Sequence, residues 1–359
     1  MQLLKYLNLI YFISMNEIYF KSASTPFAKD AIHLALEKIF EKLNKISKGD
    51  IVAIKLHMGE LGNNAYVRPF FVRKIADMVK KCGGKPFITD TTTLYGGHRG
   101  NSIDYLYTAS MHGFNISSMN CPIIIADGLL GRNEEIVETE GQRIAVAKAI
   151  FESDYMLVIS HFKGHGMTGF GGAIKNVGMG CCSKAGKAWQ HAASKPAHNK
   201  SKCIMCKKCI LFCPAGAIYE KNGEIFIDYE RCRGCGACTV LCEQGCFYIS
   251  DAKELQRRVA VACKAVIQKF GEKVSFINFL MDITPRCDCC SFPDKPLIDD
   301  IGILGGNDAV AIDKASYDLI CNHAGKDIFY EIHKIDGRIQ LIEGEKIGLG
   351  SMQYNLIEI

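Results

Sequence analysis

Residues 203–213 read CIMCKKCILFC, and residues 232–242 repeat the same cysteine spacing as CRGCGACTVLC. In each quartet, three thiolates on one tight loop can bind three different irons of a [4Fe-4S] cube, and the fourth iron needs a cysteine from elsewhere. If the quartets exchange that fourth ligand, one cluster is held by Cys203, Cys206, Cys209 and Cys242, and the other by Cys232, Cys235, Cys238 and Cys213. The spacing therefore predicts two [4Fe-4S] clusters in one folding unit.

Small residues in the second quartet support this interpretation, because Gly234, Gly236 and Ala237 leave room for backbone amides to approach cluster sulfurs. Pro214 turns the chain after the first quartet, whereas Glu243 follows the second and adds a negative charge there. Structural zinc sites usually show separated C-x2-C pairs, which these runs do not. Disulfides fit poorly too, because 18 cysteines without a convincing export signal indicate a reducing compartment.

Composition is ordinary for a globular protein: 359 residues, 48% of them hydrophobic, with a net charge of 43 − 38 = +5. No long basic run is present, so we expect no nucleic-acid binding. Lys5 and the apolar residues 6–13 hint at a signal peptide, but no A-x-A-like site follows and the run is too short to span a bilayer. We therefore predict a cytoplasmic protein without a membrane span. Residues 1–14 are predicted to be a non-native or disordered extension, with Met1 and Met15 both open as the true start.

Strands and helices alternate along the rest of the chain. Short apolar runs predict a first strand from Asn16 and further strands at 51–56, 86–90, 123–126, 155–159 and 274–279. Apolar residues at helical spacing predict helices at 25–46, 67–82, 102–113, 144–151, 253–270 and 308–321. This order predicts an α/β fold, a mostly parallel sheet with helices on both faces, interrupted by a bacterial-type two-cluster ferredoxin insertion.

The predicted boundaries make residues 15–198 the first part of the α/β domain, 199–250 the two-cluster module and 251–359 the second part of the α/β domain. Insertion near the carboxyl ends of strands would place the module over the usual ligand crevice of an open α/β sheet.

A second candidate site follows the strand that ends near Ile159, in the glycine-rich run from Ser160 to Ser183. Glycines at a strand end allow backbone to approach a ligand closely, although they also serve tight turns and helix packing. The lysines of the run could pair with a small anionic substrate, and its histidines could move protons, since histidine titrates near neutrality. The candidate catalytic residues are His161, Lys163, His165 and Lys175.

Cysteines outside the quartets fall into two groups. Five are scattered and predicted to be small buried apolar residues: Cys82, Cys121, Cys246, Cys263 and Cys321. The others cluster as Cys181-Cys182 and Cys287-Asp288-Cys289-Cys290. We predict a third iron–sulfur or metal site from Cys181, Cys287 and Cys289, with a redox-active dithiol and inert thiols as the alternatives.

Four separated segments now resemble one known family. They are the run from His161 to Cys181, the loop from Asp90 to Tyr95, Cys287-Asp288-Cys289, and residues 300–304 with 311–315. In this order around two cysteine quartets, the chain from about Met15 resembles the iron–sulfur family named domain of unknown function 362. The resemblance implies a cytoplasmic iron–sulfur protein of anaerobic bacteria or archaea, with a ferredoxin-like module. It implies no particular substrate or catalytic residue.

Three functions remain open. The clusters could relay low-potential electrons to a redox partner protein, as in a ferredoxin-like electron carrier. They could instead feed a reductase acting on a small anionic substrate near Lys163, His165 and Lys175, which the size of the α/β domain favours. The third alternative is structural clusters in an anion-binding or regulatory module. Neither a Rossmann fingerprint nor a Walker A motif is present, so bound nicotinamide or ATP is not indicated, whereas flavin stays open.

Overall fold

The computed structural model describes residues 15–28 and 31–359, so the predicted extension at residues 1–14 lies outside the described residues. The strands in this part of the chain are β1 (Asn16–Ser22), β2 (Ile51–Lys55), β3 (Lys85–Asp90), β4 (Ile123–Ile125), β5 (Glu134–Thr139), β6 (Gln142–Ala147), β7 (Tyr155–His161), β8 (Lys163–His165), β9 (Gly169–Gly171), β10 (Pro196–His198), β11 (Ile218–Lys221), β12 (Glu224–Ile227), β13 (Phe247–Ile249), β14 (Val274–Leu280), β15 (Gly302–Gly306) and β16 (Tyr354–Glu358).

The helices of the same residues are α1 (Ile32–Leu43), α2 (Pro69–Lys81), α3 (Ser102–Met111), α4 (Ile116–Met119), α5 (Lys148–Glu152), α6 (Ala173–Gly178), α7 (Lys184–His191), α8 (Lys208–Leu211), α9 (Ala237–Leu241), α10 (Ala252–Phe270), α11 (Ala309–Ala324), α12 (Ile328–His333) and α13 (Ile339–Lys346). A 3-10 turn, Lys200–Lys202, directly precedes the first cysteine quartet. Within residues 15–28 and 31–359, no helix is both long enough and apolar enough to cross a membrane.

The central sheet has the strand order β16-β1-β15-β14-β7-β2-β3-β4. Neighbouring strands run parallel except at β15, which is antiparallel to both β1 and β14. The predicted α/β fold with a mostly parallel sheet is therefore confirmed. The predicted strands at 51–56, 86–90, 155–159 and 274–279 are observed to within two residues at each end.

Helices cover both faces of this sheet because successive strand residues point to opposite sides. On one face, Ile54 of β2 and Leu157 of β7 belong to a buried apolar core with residues of α1 and α2. On the other face, Val158 of β7 belongs to a second core with residues of α6, α10 and α11. Full burial of each such side chain stabilises the fold by about 1.5–3 kcal/mol.

Four adjacent parallel strands, β14, β7, β2 and β3, end at the same edge of the sheet. Their last residues include Lys55, Asp90 and His161, all of which are buried. The loops that follow these strands meet beyond this edge, where open α/β sheets form their ligand crevice.

The cysteine-rich segment leaves and rejoins the α/β part through one pair of short strands. β10 precedes the segment and pairs antiparallel with β13, which ends it. Between them lie the β11–β12 hairpin and a separate small core formed around Ile218, Ile225 and Phe247. Strands from both sides of the segment, β7 and β14, pair directly in the central sheet.

The predicted helix at 144–151 is wrong in its first half. Residues up to Ala147 form β6, which pairs with β5, and only Lys148–Glu152 is helical. The β5–β6 connection is Glu140-Gly141, with φ of 48° and 67°, and positive φ at both positions is typical of a two-residue type I′ hairpin. A short apolar run such as Ile144–Ala147 fits helix and strand alike, so periodicity could not decide.

Candidate functional site

The cysteine-rich segment contains two cavities that are partly open to solvent. Cavity 1 is lined by Cys203, Cys206, Cys209 and Cys242, together with Ile225, Cys246 and Phe247. Cavity 2 is lined by Cys213, Cys232, Cys235 and Cys238, together with Pro214 and Ile218. Each cavity therefore combines three cysteines of one quartet with the last cysteine of the other. The residues present fit the predicted cubes and their exchanged ligands.

The spacing of these thiols differs from that of a zinc site. Zinc–sulfur bonds of about 2.3 Å bring tetrahedral ligands to about 3.8 Å from one another. Among the described residues, two groups of three His, Cys, Asp or Glu side chains have all their ligand atoms within 4.8 Å: His165 with Cys287 and Cys289, and His198 with Cys203 and Cys246. No three cysteines of one quartet form such a group, so the described quartet thiols are not gathered as three ligands of one zinc ion would be. All 18 cysteines are free, which excludes disulfides.

Both cluster loops have the same backbone. The second residue after the first cysteine and the residue directly after the second cysteine adopt positive φ, at Met205 (55°) and Lys207 (60°) in one loop and at Gly234 (66°) and Gly236 (74°) in the other. A short helix begins immediately after each loop, at Lys208 and at Ala237. This conformation turns backbone N–H groups toward sulfur, and Gly234 N–H lies 3.5 Å from Cys232 Sγ. Such hydrogen bonds tune cluster potentials.

The second loop packs tightly against the α/β domain. A Cβ atom at Gly234 would lie 2.1 Å from the carbonyl oxygen of His191, and one at Gly236 would lie 2.7 Å from Met167 Sδ. Only glycine permits this approach, since backbone at His191 cannot move as a flexible side chain would.

We expect Gly234→Ala to displace the second loop and to weaken cluster binding in cavity 2. Gly223→Ala is the matched control, because Gly223 has a similar φ of 76° but a Cβ atom there would have no other atom within 4 Å. The control should lower the free energy of unfolding by about 1–2 kcal/mol, because alanine is strained at positive φ. Gly234→Ala should lower it by a further ~1–3 kcal/mol, because its Cβ also overlaps the backbone of His191. Thermal unfolding and iron content of the two variants measure the difference. Equal effects would mean that the contact with His191 is unimportant.

Met167 and His191 connect this loop to a buried polar site. The Met167 N–H lies 3.2 Å from His165 Nδ1, to which it donates a hydrogen bond. Burial is the main cause that lowers the pKa of His191 to about 4, and electrostatic repulsion by Lys175 and then His165 adds to it. Contacts therefore run without a break from cavity 2 to His165, which adjoins Cys287.

Charged side chains at the ends of β2 and β3 form a buried network. Lys55 Nζ lies 3.0 Å from Asp90 Oδ1, and Arg99 Nε lies 3.1 Å from Glu60 Oε2. Burial raises the pKa of Asp90, but Lys55 and Arg99 outweigh burial and hold that pKa below its usual value. Arg99 also donates to Tyr95 Oη. These ionised groups fix the loops that surround the crevice.

Asp288 ties the Cys287–Cys290 loop to the end of β7 and to β8. His161 Nδ1 lies 2.7 Å from one carboxylate oxygen, and Lys163 Nζ lies 3.2 Å from the other. Burial lowers the pKa of Lys163, but Asp288 outweighs burial and raises the pKa above its usual value. The structure thus brings the predicted residues His161 and Lys163 together around Asp288, whose partner role the sequence did not reveal.

The predicted residues His165 and Lys175 adjoin Cys287. Lys175 Nζ lies 4.0 Å from Cys287 Sγ, and the Cys289 N–H lies 3.4 Å from the same sulfur. A hydrogen bond from the Cys289 thiol is the main cause that lowers the pKa of Cys287 well below its usual value. Burial opposes this effect, whereas Lys175 and His165 add to it. Burial, then Lys175, lowers the pKa of His165 to about 4. A pKa in this range leaves the His165 ring uncharged at pH 7.

Cys181 does not join Cys287 and Cys289, and His165 takes its place in that group. Its sulfur lies 3.9 Å from Met156 Sδ, and burial raises the pKa of the Cys181 thiol to about 12. It is a buried apolar side chain in the core shared with α10 and α11. Sequence reasoning missed Glu60 and Arg99 altogether, and it named Tyr95 only as the end of a family segment.

A family model, described as "Domain of unknown function (DUF362)", matches residues 52–318, which include the ends of the four parallel strands and the whole cysteine-rich segment. The chain belongs to this family. The resemblance inferred from the four sequence segments is thereby confirmed.

Two curated relatives match a smaller part of the chain. The pyruvate synthase subunit PorD of Methanothermobacter marburgensis is 43% identical over 76 residues, which are 21% of this chain and 86% of that subunit. An uncharacterized ferredoxin of Methanocaldococcus jannaschii is 38% identical over 99 residues, which are 27% of this chain and 53% of that protein.

Among solved structures, the lactate racemase apoprotein of Thermoanaerobacterium thermosaccharolyticum is 15% identical, with a TM-score of 0.37 over 74% of this chain and 51% of that chain. This likeness is too remote to bear on function.

Proposed function

We propose that this DUF362 protein is a ferredoxin-like iron–sulfur electron carrier, with one [4Fe-4S] cluster in each cavity, that transfers low-potential electrons to a partner protein. The observation that carries this proposal is the lining of each cavity by three cysteines of one quartet and one of the other. A bound cube would accept and release single electrons. Similarity to PorD, a subunit of an oxidoreductase, supports the involvement of a redox partner.

The proposal includes the division of the chain into a module at residues 199–250 and one α/β domain made of residues 15–198 and 251–359. Pairing of β7 with β14 across the module supports this division. We place the protein in the cytoplasm, where reducing conditions keep cysteines out of disulfides; none of the 18 cysteines is paired in the structure.

Cavity 1 lies near a surface suited to a partner. Cys206 is exposed, and three large exposed apolar side chains lie within six residues of it along the chain: Ile204, Leu211 and Phe212. Of these, Leu211 is 78% exposed and Phe212 is 55% exposed. Contiguous exposed apolar groups mark interaction sites, and docking here would bring a partner close to the first cluster. Cavity 2, by contrast, faces Met167 and His191 in the α/β domain.

Replacing Leu211 and Phe212 together by Ser should slow electron exchange with a partner ferredoxin by about tenfold or more, because apolar anchors supply much of the affinity of such interfaces. Reduction by dithionite, which needs no docking surface, should stay unchanged. Stopped-flow absorbance under anaerobic conditions measures both rates.

Ile103→Ser is the matched control, because Ile103 is 68% exposed on α3, outside the module. It should leave both rates unchanged. If all variants exchange electrons with protein partners at the wild-type rate, the docking surface lies elsewhere.

A reductase is the second candidate function, and one observation favours it. The loop of cavity 2 packs against Met167, whose N–H donates a hydrogen bond to His165. His165 adjoins the buried Cys287 thiol, and the charged Lys175 ammonium lies 4.0 Å from that sulfur. A carrier alone would not need a buried polar site behind its second cluster. Because Lys163 is paired with Asp288, Lys175 is the better candidate for binding a small anionic substrate.

A further inference from the structure

Three side chains with metal-binding atoms meet beyond the ends of β7 and β14. One ligand atom from each of His165, Cys287 and Cys289 lies within 4.8 Å of the other two. His165 and Cys287 are buried, and Cys289 is partly exposed. Among the described residues no fourth His, Cys, Asp or Glu joins this group.

We propose that His165, Cys287 and Cys289 bind one borderline divalent metal ion, such as zinc, with a fourth coordination position left open. Thiolate and imidazole are the ligands that such ions prefer. Three protein ligands with one open position characterise catalytic rather than structural zinc sites. No three thiols of either cavity form a group as close as these ligand atoms, which fits one ion and not a third cube.

The surroundings of His165 suit a metal ligand. Its Nδ1 lies 3.0 Å from Thr168 Oγ1, and the Thr168 hydroxyl donates its own proton to the carbonyl of Phe170 at 2.8 Å. Without an ion, Nδ1 accepts the Met167 N–H, so binding an ion at Nε2 requires the ring proton to move to Nδ1, where the Thr168 hydroxyl can accept it. Histidines that bind metals commonly have their second nitrogen held in this way.

The cysteine loop is also held in place before any ion arrives. Asp288 lies between the two cysteines, and its carboxylate contacts His161 and Lys163. Its backbone carbonyl accepts a hydrogen bond of 2.8 Å from the Glu60 N–H. Asn63 Nδ2 donates to the Cys290 carbonyl at 2.9 Å. His161 and Lys163 therefore act as positioning residues for the metal loop.

Lys175 indicates what the open position would take. The charges of one divalent ion and two thiolates cancel. The Lys175 ammonium, 4.0 Å from Cys287 Sγ, therefore leaves the site with a net positive charge. An anionic ligand, such as a carboxylate or hydroxide, would balance this charge. Because both cysteines must bind as thiolates, metal uptake by the thiol form releases protons.

The test uses full-length protein purified anaerobically with its clusters, incubated with zinc chloride and desalted. We expect about one retained zinc per chain, with an X-ray absorption spectrum showing two sulfur and about two nitrogen or oxygen ligands. Cys287→Ser and Cys289→Ser should lose this zinc while keeping iron content and circular dichroism. Thr168→Val should weaken zinc affinity by about 10–100-fold in competition with a chelator.

Cys290→Ser is the matched control in the same loop, and Cys181→Ala tests the ligand predicted from sequence. Both should retain zinc. The proposal is overturned if wild-type protein retains no zinc, if Cys289→Ser retains as much as wild type, or if the spectrum shows four sulfur ligands. It is also overturned if thiol titration finds Cys287 and Cys289 joined in a disulfide under these conditions.

Discussion

Cys213→Ala is expected to remove the cluster of cavity 2 and to leave that of cavity 1, although Cys213 belongs to the quartet that supplies three ligands to cavity 1. The reason is that Cys213 lines cavity 2 with Cys232, Cys235 and Cys238. Iron should fall from about eight to about four per chain, and spin coupling between reduced clusters should vanish from the electron paramagnetic resonance spectrum.

Double variants separate this crossed arrangement from an uncrossed one. With crossed ligands, Cys213→Ala and Cys206→Ala remove different clusters, so the pair loses both, whereas an uncrossed chain would keep about four irons. Cys213→Ala with Cys235→Ala should give the reverse result. Cys246→Ala is the control, because Cys246 lines cavity 1 but belongs to neither quartet. Cys246 stands four residues after the second quartet, as Ala217 does after the first, so its replacement should leave both clusters in place.

Arg99→Met is expected to lower the free energy of unfolding by about 3–5 kcal/mol. The Arg99 side chain is only 2% exposed and pairs with Glu60 and Asp90. Its removal would leave a buried carboxylate at Glu60 without its cation, and the two tyrosines that contact the guanidinium, Tyr95 and Tyr105, would lose a partner. Urea unfolding at pH 7, followed by circular dichroism, measures the loss.

Arg68→Met is the matched control, because Arg68 also pairs with a distant carboxylate, that of Asp282 at 2.7 Å, but is 52% exposed. An exposed ion pair typically contributes about 0–1 kcal/mol. A similar loss of stability in both variants would show that burial of the Arg99 network adds nothing. The size of the difference reports how firmly the crevice loops are held.

Much of the fold could be predicted from sequence because its elements repeat a local pattern. Short, mostly apolar runs such as residues 51–56 and 274–279 predicted strands of a sheet covered by helices, and both strands are observed. The β5–β6 hairpin was missed because Ile144–Ala147 is too short for periodicity to distinguish strand from helix. The antiparallel β15 was missed because its pairing with β1 and β14 depends on the whole sheet rather than on Gly302–Gly306 itself.

The candidate sites were predictable in proportion to how local their geometry is. Each cysteine quartet is set by spacing within one loop, and the cavities bring together the cysteines that the spacing paired. The buried site is assembled from four strand ends, so the contact of His165 with Cys287 depends on the alignment of β7 with β14. Cys181 was predicted in its place because a cysteine is a familiar ligand, and no local signal showed that its side chain turns into the core.

The central claim, two [4Fe-4S] clusters in two cavities of one chain, is tested most directly by measuring iron and acid-labile sulfide in anaerobically purified protein. We expect about eight of each per chain. About four of each would leave one cavity without a cluster, and zinc in place of iron and sulfide would contradict the account.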